Sequence, residues 1–285
     1  MSDHRDNAPK TPDGVDTTKP SAARVYDWYL GGTQNWAVDR EFGRRVEQLW
    51  PLIKPISRQN RAFMGRVVRA ALDAGIRQFV DLGSGVPTVG NVHEIVGDRL
   101  PGGGAKVVYV DYEPVAVAHS TLILEQDEAT EWAGIAQQDI RKPHEVFRDP
   151  TVSRLIDWDE PVCVLMITVM HFVGPDDDPE GLIAQYRSKL APGSWIGLTH
   201  AACKDSAPPD RAAEVHRFID AYKDTSNPAW MRTDEEILPW FGGWPLLEPG
   251  MTSLPDWRPT ADPNPIEAQT RHFAWCAVAE KPRQS

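Results

Sequence analysis

The sequence predicts an α/β protein: a mostly parallel sheet of seven strands, covered by helices on both faces, with an antiparallel last strand and a helical addition at the N-terminus. Three observations carry this reading. Apolar runs of strand length alternate with helical patterns from Phe79 to Tyr222, the signature of parallel strands joined by crossover helices. The first such run passes directly into Asp81-Leu-Gly-Ser-Gly85, a glycine turn at a strand end. The last two strand-like runs, 246–251 and 272–279, flank a Pro-rich loop with no crossover helix between them, which makes the last strand antiparallel.

In chain order, residues 1–20 have almost no large apolar side chains and read as a disordered tail. Apolar residues at helical spacing then give two short helices broken at Gly31-Gly32, and a third with Ser57 as its N-cap and Gly75 as its stop. Segment 21–75 is therefore a helical lid, and 76–281 the core of the same single domain. In the core, strands are expected at 79–82, 106–110, 134–138, 162–169 and 195–199. Helices are expected at 91–100, 114–125, 146–156, 179–190 and 210–222.

Composition narrows the function classes. The 285 residues are 41% hydrophobic and 25% charged with a net charge of −11, enough for one sizeable core and unfavourable for an extended nucleic-acid or anionic-membrane surface. No run approaches the roughly 18 apolar residues of a membrane span, and the polar start lacks a secretory core, so a soluble cytoplasmic protein is expected. Cys163, Cys203 and Cys276 are far apart and read as reduced, packed thiols. Asp176-Asp-Asp178 reads as a solvated turn and helix cap, and no metal is expected. The patch Trp240-Phe-Gly-Gly-Trp244 is assigned to packing under the C-terminal loop, with an interface as the alternative.

In an open parallel sheet the ligand crevice lies beyond the carboxyl ends of the strands. At the first end, Gly83, Ser84 and Gly85 let a ligand lie against main-chain amides, and Asp81 would repel a pyrophosphate while accepting hydrogen bonds from a cationic ligand, which favours S-adenosylmethionine. At the second, Asp111 is a carboxylate able to take both hydroxyls of a ribose. At the third, Asp139 and Ile140 set a polar group beside an apolar one, as an adenine needs. The fourth ends in His171, a candidate general base. Each has a plainer alternative: a tight turn at 83–85, a helix N-cap at Asp111, a solvated acid at Asp139, and a structural imidazole at His171. His200 is assigned a structural role.

Taken together, Asp81-Leu-Gly-Ser-Gly85, Asp111 and Asp139 resemble the class I S-adenosylmethionine-dependent methyltransferases, which have a Rossmann-like fold. The stretches 23–40, 60–63, 75–79, 90–94 and 108–111 are similar to an actinobacterial family of such methyltransferases, formerly a domain of unknown function, with the likeness running from about Arg24 to Lys281. The resemblance implies a Rossmann-like sheet with an antiparallel last strand, a helical N-terminal addition, and S-adenosylmethionine at the first three strand ends. It implies no particular substrate. Carried over, Asp81 and 83–85 surround the methionine portion, Asp111 holds the ribose, Tyr112 packs on the adenine, and Asp139 with Ile140 contacts its edge and face. Pro87 stands where many methyltransferases have a third glycine, so compensating contacts to the carboxylate are sought in the lid, from Arg24, Tyr26, Asn35, Asn60 and Arg61. Tyr26 and Asn35 are the residues assigned to the acceptor, expected to be a small molecule.

Two other classes stay open. An NAD-dependent oxidoreductase would share the sheet and Asp111 but usually carries a third glycine where this chain has Thr88. A non-catalytic protein that only binds S-adenosylmethionine or its product has the same sequence signature. Oligomeric state is not legible.

Overall fold

In a computed structural model of the chain, residues 15–283 are described, apart from Val89, Asp224 and Ser226. The expected tail falls mostly outside these residues. Its described part, 15–20, is packed: Val15 lies against the cluster of Trp36, Val86, Val115 and Ala116, and the carbonyls of Asp16 and Lys19 accept hydrogen bonds from Arg24. A buried guanidinium with donors to spare is what holds this segment down.

Helices α1 (Ala22–Leu30), α2 (Ala37–Leu49) and α3 (Ile53–Asp73) precede the sheet. Gly31 ends α1 with φ 88°, and a Cβ at Gly32 would lie 1.9 Å from the Asp27 carboxylate, so both glycines are required by the break. Helix α3 starts a turn earlier than Ser57: Pro55 sits in the first turn, where its missing N–H has no partner to lose. Ser57 is inside the helix, its hydroxyl donating to the Ile53 carbonyl at 2.8 Å.

The sheet has strands β1 (Gln78–Leu82), β2 (Lys106–Asp111), β3 (Ala133–Gln137), β4 (Cys163–Met166), β5 (Trp195–Ala201) and β6 (Ala274–Glu280), in the order β3-β2-β1-β4-β5-β6. All neighbours are parallel except β5 and β6. Side-chain alternation divides the core between two faces: Phe79, Val107, Cys163 and Trp195 join the cluster containing α1–α3, while Val80, Val108, Val164 and Ile196 join the other. The remaining helices are α4 (Val92–Arg99), α5 (Pro114–Gln126), α6 (Pro143–Arg148), α7 (Pro150–Leu155), α8 (Pro179–Lys189), α9 (Pro209–Tyr222), α10 (Asp234–Ile237) and α11 (Pro265–Gln269).

Three expectations are corrected. The sheet has six strands, not seven: the run 246–251 contributes only isolated bridges nearby, Leu246 to Ala279 and Thr252 to Cys276. Pro245 and Pro249 have no N–H for a ladder, and Gly250 at φ 87° turns the chain away. The helix expected over 146–156 is two, α6 and α7, because Pro150 is incompatible with a continuous helix and Asp149 caps the new start through Thr151 N. Strand β4 stops at Met166, and the chain turns at Thr168 (φ 59°) into a single 3₁₀ turn, Met170–Phe172, with Thr168 N donating to the Thr199 hydroxyl at 2.8 Å. Asp178 caps α8 through Gly181 N, and Trp240 and Phe241 are buried against the second cluster.

Candidate active site

A cavity opens at the carboxyl ends of β1, β2, β4 and β5 and is roofed by α1, α3 and α9. Its floor is made by the two loops that leave the central strands. Gly83 N and Ser84 N both donate to the Val110 carbonyl, at 2.8 and 3.1 Å, which pins the glycine turn beside β2. Gly85 N then donates to one oxygen of Asp111 at 2.8 Å, while Glu113 N donates to the other at 2.9 Å. One carboxylate thereby couples two loops and keeps further lone pairs for a ligand. Gly83 and Gly85 have φ of 68° and 65°. A Cβ at Gly83 would lie 2.2 Å from the Val169 side chain, so this glycine also lets the loop after β4 close on the loop after β1. At Gly85 the space a Cβ would take is open.

The charged side chains that line the cavity among the described residues are Arg61, Asp81, Asp111 and Glu113. Asp81 is 3% exposed, and burial pushes its carboxyl up to about 7, with Arg61 opposing the rise and Asp111 adding to it. Burial likewise pushes Asp111 up to about 6 against the pull of its two amide donors. Two buried polar atoms of the same lining, Oδ1 of Asn60 and Oγ of Ser84, have no hydrogen-bond partner among the described residues.

Two imidazoles lie at the far end of the cavity with ring centroids 5.9 Å apart. His200 is fully committed: Nδ1 lies 2.8 Å from the Ala201 carbonyl and so must donate, leaving Nε2 to accept from Arg232 at 3.0 Å. Burial and the adjacent guanidinium hold it neutral, with its pKa down to about 3. His171 is 6% exposed and lines the cavity, and its Nδ1 has no partner. Burial, His200 and Arg232 hold it neutral as well. Arg232 fixes the turn carrying His171 through the carbonyls of Met170 and Val173, and Trp230 N donates to the carbonyl of His171 itself.

Of the residues singled out in the sequence, Asp81, Gly83, Ser84, Gly85, Asp111, Tyr112, Ile140, Asn60, Tyr26 and His171 all line this one cavity. Three others do not. Arg24 is 1% exposed and bound to Asp39 at 2.9 Å, Glu113 at 3.0 Å and two backbone carbonyls, a structural clamp between the lid and the loop after β2. Asn35 donates to Asp27 at 2.7 Å and to the Gly32 carbonyl, closing the turn between α1 and α2. Asp139 is held by Arg141 in a two-pronged pair, whose hydrogen bonds outweigh burial and keep its carboxyl below the usual range. Of the lid residues sought as compensation for Pro87, Tyr26, Asn60 and Arg61 line the cavity, and Thr88 anchors the glycine loop to Asp27 of α1 at 3.0 Å.

Sequence reasoning missed Glu113, Thr199, Phe218, Tyr222 and Phe273, which also line the cavity. Glu113 had a signal in its position two residues past Asp111. The aromatic residues had none locally, since they face the cavity only because α9 and the start of β6 fold over the α1–α3 side.

The sequence matches the model of a family described as S-adenosyl methyltransferase over residues 8–282. No curated protein matches it. Among solved structures, a candidate methyltransferase from Thermobifida fusca YX is 32% identical, with 97% of this chain and 100% of that chain covered and a TM-score of 0.85. A DUF574 family protein from Streptomyces avermitilis MA-4680 is 30% identical, with 94% and 99% covered and a TM-score of 0.83. An O-methyltransferase family protein from Burkholderia thailandensis, 11% identical over 81% of this chain and 60% of that chain, shares the fold alone at a TM-score of 0.52. The six-stranded sheet with its antiparallel last strand and the cavity at its carboxyl edge are thus a methyltransferase fold, and the chain belongs to the S-adenosyl methyltransferase family.

Proposed function

We propose that this protein binds S-adenosylmethionine in the cavity at the strand ends and transfers its methyl group to a small-molecule acceptor. The observation that carries the reading is the convergence of Asp81, the 83–85 turn and Asp111 on one cavity with two buried polar atoms, Asn60 Oδ1 and Ser84 Oγ, left without partners. A ligand with an ammonium group, a carboxylate and two ribose hydroxyls supplies what those atoms lack. Asp81 and Asn60 face the ammonium in this reading, Ser84 and the Gly85 backbone the carboxylate, and Asp111 the ribose. Tyr112 and Ile140 flank the adenine. The bound sulfonium supplies an electrophilic methyl carbon; the chain's own part is to align the acceptor, exclude water and take up a proton.

Tyr26 stands between the two ends of the cavity: its hydroxyl donates to the Ser57 carbonyl at 3.0 Å, and it senses the charges of both Arg61 and Asp81. We assign it to positioning the acceptor. His171, neutral and not held by a hydrogen bond, is assigned as general base. A cavity roofed by helices, in a chain of net charge −11, suits a small acceptor better than a nucleic acid.

Calorimetric titration with S-adenosylmethionine, S-adenosylhomocysteine and NAD⁺, alongside Asp111→Ala, tests the assignment. Micromolar binding of the first two, weakened on the order of 100-fold in the variant, is expected from losing a charged acceptor and leaving two amides unpaired. Binding of NAD⁺ alone would replace this reading with that of an oxidoreductase.

A further inference from the structure

Resting on that cofactor reading, we infer that the methyl acceptor is an uncharged, flat aromatic molecule carrying a hydroxyl group, seated with its ring among Trp50, Phe172, Phe218, Tyr222 and Phe273 and its hydroxyl toward His171. The argument begins with where the charges are. All four charged residues lining the cavity belong to its cofactor end: Asp81 follows from β1, Asp111 and Glu113 from β2, and Arg61 is the cation felt by Asp81. The rest of the lining comes from α1, α3, α9, the loop after β4 and the ends of β5 and β6, and it carries no ionised group among the described residues. A carboxylate, phosphate or ammonium placed there would find no counter-charge in this part of the lining; the nearby cation, Arg232, lies behind the two imidazoles and already donates to His200 Nε2 and to the Met170 and Val173 carbonyls.

The walls specify shape as well as charge. Trp50 packs against Phe218 and Phe273 at centroid distances of 4.8 and 5.6 Å, and Phe218 and Phe172 both meet Tyr222, at 4.8 and 5.9 Å. These rings form a connected wall whose faces and edges accept another ring in stacked or T-shaped contact. Much of the polar lining in this half is already used: Tyr26 donates to Ser57, Tyr29 and Tyr222 pair with each other, the Thr199 hydroxyl accepts from Thr168 N, and both nitrogens of His200 are held, while Trp50 Nε1 and Thr168 Oγ1 have no partner among the described residues and, being neutral, can meet a hydroxyl without balancing an ion. His171 is the imidazole left over. Among the described residues no carboxylate is bonded to it, so it suits an acidic hydroxyl such as a phenol, whose pKa is near about 10, better than an aliphatic alcohol. In the transfer the phenolic oxygen forms the bond to the methyl carbon, the sulfur keeps the electron pair of the broken S–CH₃ bond, and the phenolic proton passes to His171 and then to water.

The test uses three probes of one shape and different charge: 2-naphthol, 2-naphthoate and 2-naphthylmethylammonium, titrated calorimetrically into the free and the S-adenosylhomocysteine-loaded protein. The naphthol is expected to bind at least about tenfold more tightly than either ion, loaded or free, with methyl 2-naphthyl ether formed from S-adenosylmethionine. Phe172→Ala, a half-buried ring, should weaken the naphthol about tenfold. Should that variant misfold, Ala201→Glu places a carboxylate in the same half and should reverse the preference toward the ammonium probe. Equal or tighter binding of the naphthoate, or displacement of the naphthol by S-adenosylhomocysteine, would overturn the inference. S-adenosylhomocysteine binding together with naphthoate preference sinks this inference alone, whereas absent S-adenosylhomocysteine binding with the naphthol preference intact sinks the cofactor reading alone.

Discussion

At the proposed cofactor end of the cavity most of the groups lie in two short stretches, 81–85 and 111–113, with Asn60, Arg61 and Ile140 added from outside them, whereas the opposite end draws on Tyr26, Trp50, Phe172, Phe218 and Phe273, spread over most of the chain. The first end is charged and built of loop backbone; the second is aromatic and built of side chains from five separate elements. The difference teaches why a cofactor is easier to read than a substrate. Backbone amides and carboxylates at a strand end need a turn of particular geometry, which only a few local sequences provide. A hydrophobic wall can be assembled from any helix that packs in the right place, so no spacing marks it.

The two imidazoles repeat the contrast at the scale of single residues. His171 and His200 are both buried, both neutral and 5.9 Å apart, yet one is held at both nitrogens and the other is not. Arg232 makes the difference. It comes from a loop distant in sequence, occupies Nε2 of His200 and anchors the turn that presents His171.

The lid is joined to the loop after β2 by the Arg24 clamp, and removing it should produce the largest effect. Arg24→Ala leaves Asp39 and Glu113 without their guanidinium in a buried setting, for a loss of about 3–5 kcal/mol in denaturant unfolding. A loss below about 1 kcal/mol would mean that lid and core are held independently. Next in size, His171→Gln should lower kcat about 100-fold while leaving S-adenosylhomocysteine affinity within about twofold, separating the two ends functionally. A loss of activity within threefold would remove the base assignment.

The pH dependence of binding is expected to be smaller and confined to the cofactor end. In the proposed reading Asp81 and Asp111, raised to about 7 and about 6, receive an ammonium and ribose hydroxyls in their ionised forms. Affinity for S-adenosylhomocysteine should therefore fall about tenfold between about pH 8 and pH 6, and Asp81→Asn should flatten the profile. The sign for stability is opposite. Both folded-state values lie above the ordinary carboxylate range, so the folded state binds the extra protons, and the stability of the ligand-free protein should decline as pH rises from about 4 through about 7. Thermal unfolding across that range checks it. The smallest expected effect is that of Thr88→Val, which cuts the hydrogen bond from the glycine loop to Asp27 at a cost of about 1 kcal/mol, read as a fall of a few degrees in Tm.

By itself the sequence determined the alternation of strands and helices, the antiparallel end of the sheet and the residues at the first two strand ends, because these depend on side-chain period and on turns that only glycine and a following acid can make. It overcounted the strands, since an apolar run at 246–251 looks like a strand until Pro245 and Pro249 are asked for ladder hydrogen bonds. It also sent Arg24, Asn35 and Asp139 toward the ligand. Each is a charged or amide group near the right place in the chain, and only the folded molecule shows that Asp39, Asp27 and Arg141 already hold them. Tertiary structure alone decided which polar groups were satisfied internally and which were left for a ligand, because a hydrogen-bond partner is a neighbour in space. Folding α9 and the start of β6 over the cavity placed Phe218, Tyr222 and Phe273 in the same lining as His171, and that packing, invisible to any local pattern, is what shapes this end of the cavity.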